Sequence, residues 1–198
     1  MNRQPIYTVG ITGASGATYG VRIIQSMLEA NHRVHVVISE AGWQVFEQEL
    51  ALDTTDRNLC LQSLFSDYGE GWSYHTLQDF SAPIASGSYK NDGMIIAPCS
   101  MGTLSKLAQG TSSNLLERTA DVMLKEKRPL IIVPRETPLN EIHLENMAKL
   151  SRVGAQVVPA MPGFYQRPET LDDLVDFVVG KVLDQLNVNH HLFKRWGD

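Results

Sequence analysis

Val9-Gly10-Ile11-Thr12-Gly13-Ala14-Ser15-Gly16-Ala17-Thr18-Tyr19-Gly20 passes from a short apolar run into a helical pattern through a glycine-rich turn. The run begins at residue 7, and further apolar runs follow at 34–38, 94–97, 130–133 and 156–158, each separated from the next by longer segments. Strands alternating with helices predict a parallel α/β sheet. Met94-Ile95-Ile96-Ala97, apolar throughout, fits a strand covered by helices on both faces. In such a sheet ligands bind beyond the carboxyl ends of the strands. Small or polar residues end these strands: Thr12-Gly13, Ser39, Pro98-Cys99-Ser100 and Pro134-Arg135-Glu136. The binding site is expected along that edge.

The chain has 198 residues, 43% of them apolar, which suits one domain spanning residues 1–198 with a sizeable core. Residues 54–71 are the least periodic stretch and read as an insertion or loop. The last helix shows its apolar face in Leu171, Leu174, Val175, Val178, Val182 and Leu186, with Thr170 and Asp173 resembling a capping box. A net charge of −5 argues against general nucleic-acid binding, so any anion site must be local. No apolar run approaches the ~18 residues that span a bilayer. Two cysteines and no secretory pattern lead to the expectation of a cytoplasmic protein.

The glycine turn has the spacing G-x-x-G-x-x-G, neither a Walker A nor a strict dinucleotide motif. It is either a phosphate cradle at a helix N-terminus or only a tight turn. Glu40 keeps a ribose-binding acid open, whereas Ser39 before it suits a flavin or phosphate. Arg118 and Lys125, seven residues apart, fall on one helix face that is either an anion site or a solvated surface. Arg135-Glu136 after a buried strand is either an ordinary ion pair or an anion contact beside an acid–base carboxylate. The loop 159–168, rich in Pro and aromatics, is a rigid connector or part of a site. The six histidines lack metal-site spacing, and no metal is expected. Cys99 reads as a small residue lining the site rather than a nucleophile.

Taken together, the chain resembles the UbiX-type flavin prenyltransferases. The resemblance rests on Gly13-Ala14-Ser15-Gly16-Ala17 with Tyr19-Gly20, Ala85-Ser86-Gly87-Ser88, Pro98-Cys99-Ser100 with Thr103-Leu104-Ser105, and Arg135-Glu136-Thr137-Pro138. Glu117-Arg118 with Ala120-Asp121-Val122, and Pro162-Gly163-Phe164-Tyr165, extend it along nearly the whole chain.

This resemblance implies a three-layer Rossmann-like, flavodoxin-like subunit in a homododecamer, with FMN between neighbouring subunits. It implies that reduced FMN is a substrate, prenylated at N5 and C6 by dimethylallyl phosphate, and that the prenylated FMN serves a UbiD-type decarboxylase. Gly13, Ala14, Ser15, Ser39, Ser100, Met101, Gly102, Thr103 and Arg135 then match the flavin cradle. Arg118, Lys125, Tyr165, Lys181 and Phe80 match the prenyl phosphate site. Glu136, Ser15, Arg118 and Lys125 match catalytic positions, with Glu136 for proton transfer. Lys181 stands where relatives often carry Arg, and Phe80 where they can carry Trp, which changes the anion grip and the aromatic wall. The alternatives are an FMN-dependent cysteine-type decarboxylase, whose P-x-M-N-x-x-M-W segment is missing here, and a non-catalytic flavin-binding protein.

Overall fold

A computed structural model describes residues 3–197. Its six strands are β1 (Ile6–Ile11), β2 (Arg33–Ile38), β3 (Trp72–His75), β4 (Gly93–Cys99), β5 (Leu130–Pro134) and β6 (Gln156–Val157). They form one sheet in the order β3-β2-β1-β4-β5-β6, and every pairing is parallel. This is the doubly wound Rossmann-like arrangement, and its strand order reverses between β1 and β4. That is where such sheets open a ligand crevice.

Alternation along each strand divides the core into two layers. Val9, Ile11, Val36, Ile95, Ile131 and Val133 face one side. There they meet α1 (Ala17–Glu29), α2 (Glu40–Leu50), α3 (Arg57–Phe65) and α7 (Leu171–Asp184). Val37, Met94, Ile96, Leu130 and Ile132 face the other, against α4 (Met101–Ala108), α5 (Leu115–Lys125) and α6 (Glu141–Arg152). Burial of a side chain such as Ile24 or Met27, both 0% exposed, contributes about 1.5–3 kcal/mol.

Two expectations need correction. Residues 54–71 are not a plain loop: Asp56 caps α3 by accepting from Asn58 N and Leu59 N at 3.0 Å, and a 3-10 segment, Ser66–Gly71, leads into β3. Leu171 does not belong to the core face of α7, being 79% exposed, whereas Val178 and Val182 are buried as expected. The capping box at Thr170 and Asp173 is present. No helix among the described residues is long and apolar enough to cross a membrane.

Candidate active site

The β1–β4 crevice is built by side chains that join the two strand ends. Thr12 donates its hydroxyl to Pro98 O at 2.9 Å and accepts from Ser100 N at 2.8 Å. Ser39 caps α2, accepting from Gly42 N at 3.0 Å, and Ser100 caps α4, accepting from Thr103 N at 3.3 Å. Gly13 lies so close to the start of α2 that a Cβ on it would stand 2.3 Å from Ala41 Cβ. A cavity of about 340 Å³ opens here, lined by Gly13, Ser39, Ser100, Gly102 and Thr103, with Lys106, Asn114 and Glu117 on its wall. Two capped helix starts, free hydroxyl valences and a lysine suit a bound phosphate.

Met101 is the exception in this set. Its side chain turns into the core beneath α4 and is 9% exposed, so only its backbone is left for the crevice. Cys99 likewise is not a lining residue: it is 0% exposed, and burial pushes its thiol well above the ordinary range.

A second group surrounds the amino end of α1. Arg135 Nε donates to Ser15 O at 3.0 Å, which brings the two expected site residues together. Ala14 is buried beside them. Glu136 is exposed next to Arg135 and accepts from Thr137 N at 2.9 Å. Glu49, which the sequence did not single out, accepts from Gly16 N at 2.8 Å and Ala17 N at 3.1 Å. Partial burial pushes the Glu49 carboxyl up, but the Ser15 hydroxyl, these two amides and Arg135 outweigh it, so the group lies below its ordinary range. The helix start that the glycine turn offered to an anion therefore holds a carboxylate of the same chain.

Glu117 was also missed as a site-builder. It is 2% exposed and accepts from Ser113 Oγ at 2.6 Å, Asn114 Nδ2 at 2.8 Å and Lys106 Nζ at 3.2 Å. Burial raises its carboxyl, yet Ser113 and Lys106 bring it below the ordinary range. It fixes Lys106 at the mouth of the crevice.

Arg118 and Lys125 do share one face of α5, and that face meets residues 85–88. Arg118 Nε donates to Ala85 O at 3.0 Å and Nη1 to Asp121 at 2.9 Å. Lys125 pairs with Glu126 and packs on Gly87, where a Cβ would stand 2.6 Å from Nζ. Phe80, 49% exposed, lies in the segment leading to this loop.

Tyr165 and Lys181 belong to a third region. Tyr165 stands edge-on to Phe177 of α7 and to Trp196, with ring centroids 5.8 and 5.6 Å apart, beside a cavity of about 520 Å³. Lys181 lies 4.0 Å from Asp184, a carboxylate also held by Arg195 and His190.

Arg118 adjoins the crevice wall at Glu117, but Lys125 and Lys181 do not join the crevice within one chain. α5 and α7 lie on opposite faces of the sheet. Both helices run back toward the amino edge: Leu186, just beyond α7, approaches Gly93 at the start of β4, and Arg128, just beyond α5, donates to Gly87 O and Tyr89 O. The crevice lies at the carboxyl edge. Among the described residues, no group of three His, Cys, Asp or Glu is placed to hold a metal ion.

A family model described as Flavoprotein matches residues 1–183. The flavin prenyltransferase UbiX of Halalkalibacterium halodurans is 66% identical over 193 residues, covering 98% of this chain and 94% of that protein. A crystal structure of AnUbiX (PadA1) with FMN and dimethylallyl pyrophosphate has a TM-score of 0.89 and 38% identity, covering 99% of both chains. A dodecameric FMN-dependent UbiX-like decarboxylase from Escherichia coli O157:H7 gives 0.87 and 43%, covering 98% of this chain and 100% of the other. With a glycine-rich turn and capped helix starts around one crevice, and with these relatives along its whole length, the chain belongs to the flavoprotein family, among the UbiX flavin prenyltransferases.

Proposed function

We propose that this protein, acting as one flavin-binding domain, transfers the dimethylallyl group of dimethylallyl phosphate to N5 and C6 of reduced FMN. The product, prenylated FMN, is released to a UbiD-type decarboxylase. The observation that carries the reading is the β1–β4 crevice, where Ser39 and Ser100 cap two helices around one cavity with Lys106 at its mouth. Its donors fit the flavin phosphate, and the bare backbone of Gly13 lets the flavin approach the turn closely.

When bound, reduced FMN supplies the nucleophile and dimethylallyl phosphate the electrophile. What remains for the chain is to position both, screen the departing phosphate and move protons. Arg135, held on Ser15 O, would contact the flavin, and Met101 and Gly102 would contribute backbone. Arg118, Lys125 and Lys181 offset the charge that develops as the carbon–oxygen bond to phosphate breaks. Tyr165 and Phe80 wall the prenyl group. Glu136, exposed beside Arg135, would accept the proton lost from flavin C6 as the second bond closes and return one to the alkene carbon, with Ser15 at hand.

The crevice lies at the carboxyl edge, whereas Lys125 and Lys181 lie toward the amino ends of the strands on helices that cover opposite faces, which supports a site completed by a second copy in a homododecamer. Two buried free cysteines suit the reducing cytoplasm. A cysteine-type decarboxylase or a passive flavin carrier gives no role to the cations of α5. The test is anaerobic incubation with reduced FMN and dimethylallyl phosphate, followed by mass spectrometry of the flavin. A gain of one prenyl unit is expected; unmodified flavin in a protein that binds FMN rejects the reading.

A further inference from the structure

Beneath residues 85–89 lies a chain of polar groups that the proposed chemistry does not use. His35 alternates with Val34 and Val36 on β2, so its ring points to the α5 side of the sheet, where it is 5% exposed. Its Nε2 is 2.9 Å from Tyr89 Oη and its Nδ1 2.9 Å from His75 Nε2. Ser73 Oγ lies 2.8 Å from the same Nδ1. On the far side, His75 Nδ1 is 3.5 Å from an Asp79 oxygen. Buried polar atoms are costly unless each finds a partner, and these do.

With both rings neutral, the hydrogen bonds have one direction. The Asp79 carboxylate, 3.5 Å away, only accepts and so favours the His75 proton on Nδ1, which leaves Nε2 an acceptor. Two ring nitrogens at 2.9 Å need one proton between them, which His35 Nδ1 must supply. His35 Nε2 then accepts, and the Tyr89 phenol donates. Burial above all pushes the His35 ring down to about 4, so that ring holds a single proton.

The last link holds a loop that matters. Tyr89 O and Gly87 O accept from the two Nη atoms of Arg128, both at 2.7 Å, and Gly87 carries the Lys125 ammonium. The loop is thus gripped through its backbone from the α5 side and through the Tyr89 phenol from β2.

We propose that Tyr89, His35 and His75 are positioning residues whose aligned hydrogen bonds, running toward Asp79, hold residues 86–88 at the spacing from Arg118 and Lys125 that a prenyl phosphate requires. The choice of ligand rests on the prenyl-transfer reading above; the bond direction does not.

Tyr89→Phe removes only the phenol oxygen. In it the apparent KM for dimethylallyl phosphate should rise roughly fivefold, the scale of one lost hydrogen bond, with kcat within about twofold and FMN affinity unchanged. Hydrogen exchange at residues 86–89 should accelerate. Should this variant lose its fold, His75→Asn on the half-buried edge strand repeats the test one link away. Nitrogen-15 NMR of the wild-type imidazoles should find Nδ1–H tautomers at both His35 and His75. An Nε2–H tautomer at His35, or a folded Tyr89→Phe with unchanged KM and exchange, overturns the proposal. A wild-type protein that leaves flavin unmodified overturns the prenyl-transfer reading instead, and tautomers and exchange rates then decide the relay.

Discussion

One oxygen of Glu49 accepts from the backbone of Gly16 at 2.8 Å and of Ala17 at 3.1 Å, so the C-terminal part of α2 supplies the anion at the amino end of α1. The exposed carboxylate contributes about 0.5–1 kcal/mol there after solvent screening. Its folded-state pKa is depressed, so this stability is present above the ordinary value of 4.5 and is lost as pH falls through the folded value. Glu49→Gln should therefore melt about 1–3 °C below wild type at pH 7, and the two curves should converge as pH falls below the ordinary carboxylate range. Calorimetry across that range checks it. A gap that is constant with pH contradicts the assignment.

Gly13→Ala places a methyl 2.3 Å from Ala41 Cβ and pushes the start of α2 off the crevice. FMN affinity should fall at least tenfold and the melting temperature should drop, since overpacking costs about 1–3 kcal/mol. Fluorescence titration and thermal melts read the two effects separately.

Glu136→Gln keeps size and hydrogen bonding while removing the titratable group. It should bind FMN as wild type does yet slow single-turnover product formation at least tenfold. An unchanged rate leaves Glu136 as the residue that orders the turn at Thr137.

Lys181→Ala should raise the apparent KM for dimethylallyl phosphate about tenfold and leave FMN binding nearly unaltered. Its contact with Asp184 is long at 4.0 Å, so stability should change little. Lys181→Arg should retain activity, because a planar fork can grip the same oxygens.

Arg118→Ala subunits mixed with Ser15→Asp subunits should recover activity that neither shows alone. Each mixed assembly then contains sites with an intact crevice from one copy and intact cations from another. Rates measured in verified hetero-oligomers decide the matter.

Five strands were legible because their apolar runs are bounded by small or polar residues. β3 was not: Trp72-Ser73-Tyr74-His75 is half-buried at the sheet edge and mixes aromatics with polar groups, so no run forms. α3 escaped notice because only Cys60, Leu61 and Phe65 of its nine residues are buried. In the site, Gly13, Ser39 and Ser100 were readable, since each stands one or two residues beyond a strand end. Met101 can meet the crevice only through its backbone, because membership in a motif does not say which way a side chain turns. Glu49 lies 33 residues from Gly16 in sequence and gives no local pattern. A carboxylate near the C-terminus of α2, where the helix dipole disfavours it, was the available hint. The histidine relay joins residues 35, 75 and 89, a proximity only the sheet creates.

The separation of the crevice from Lys125 and Lys181 makes the proposed catalysis a question of dilution. On the proposed reading, a lone subunit holds a flavin pocket without the lysines that complete it. Turnover per subunit should stay constant while the assembly holds, then fall steeply below its dissociation threshold. Expression level thus becomes a switch on the supply of product, set by mass action alone.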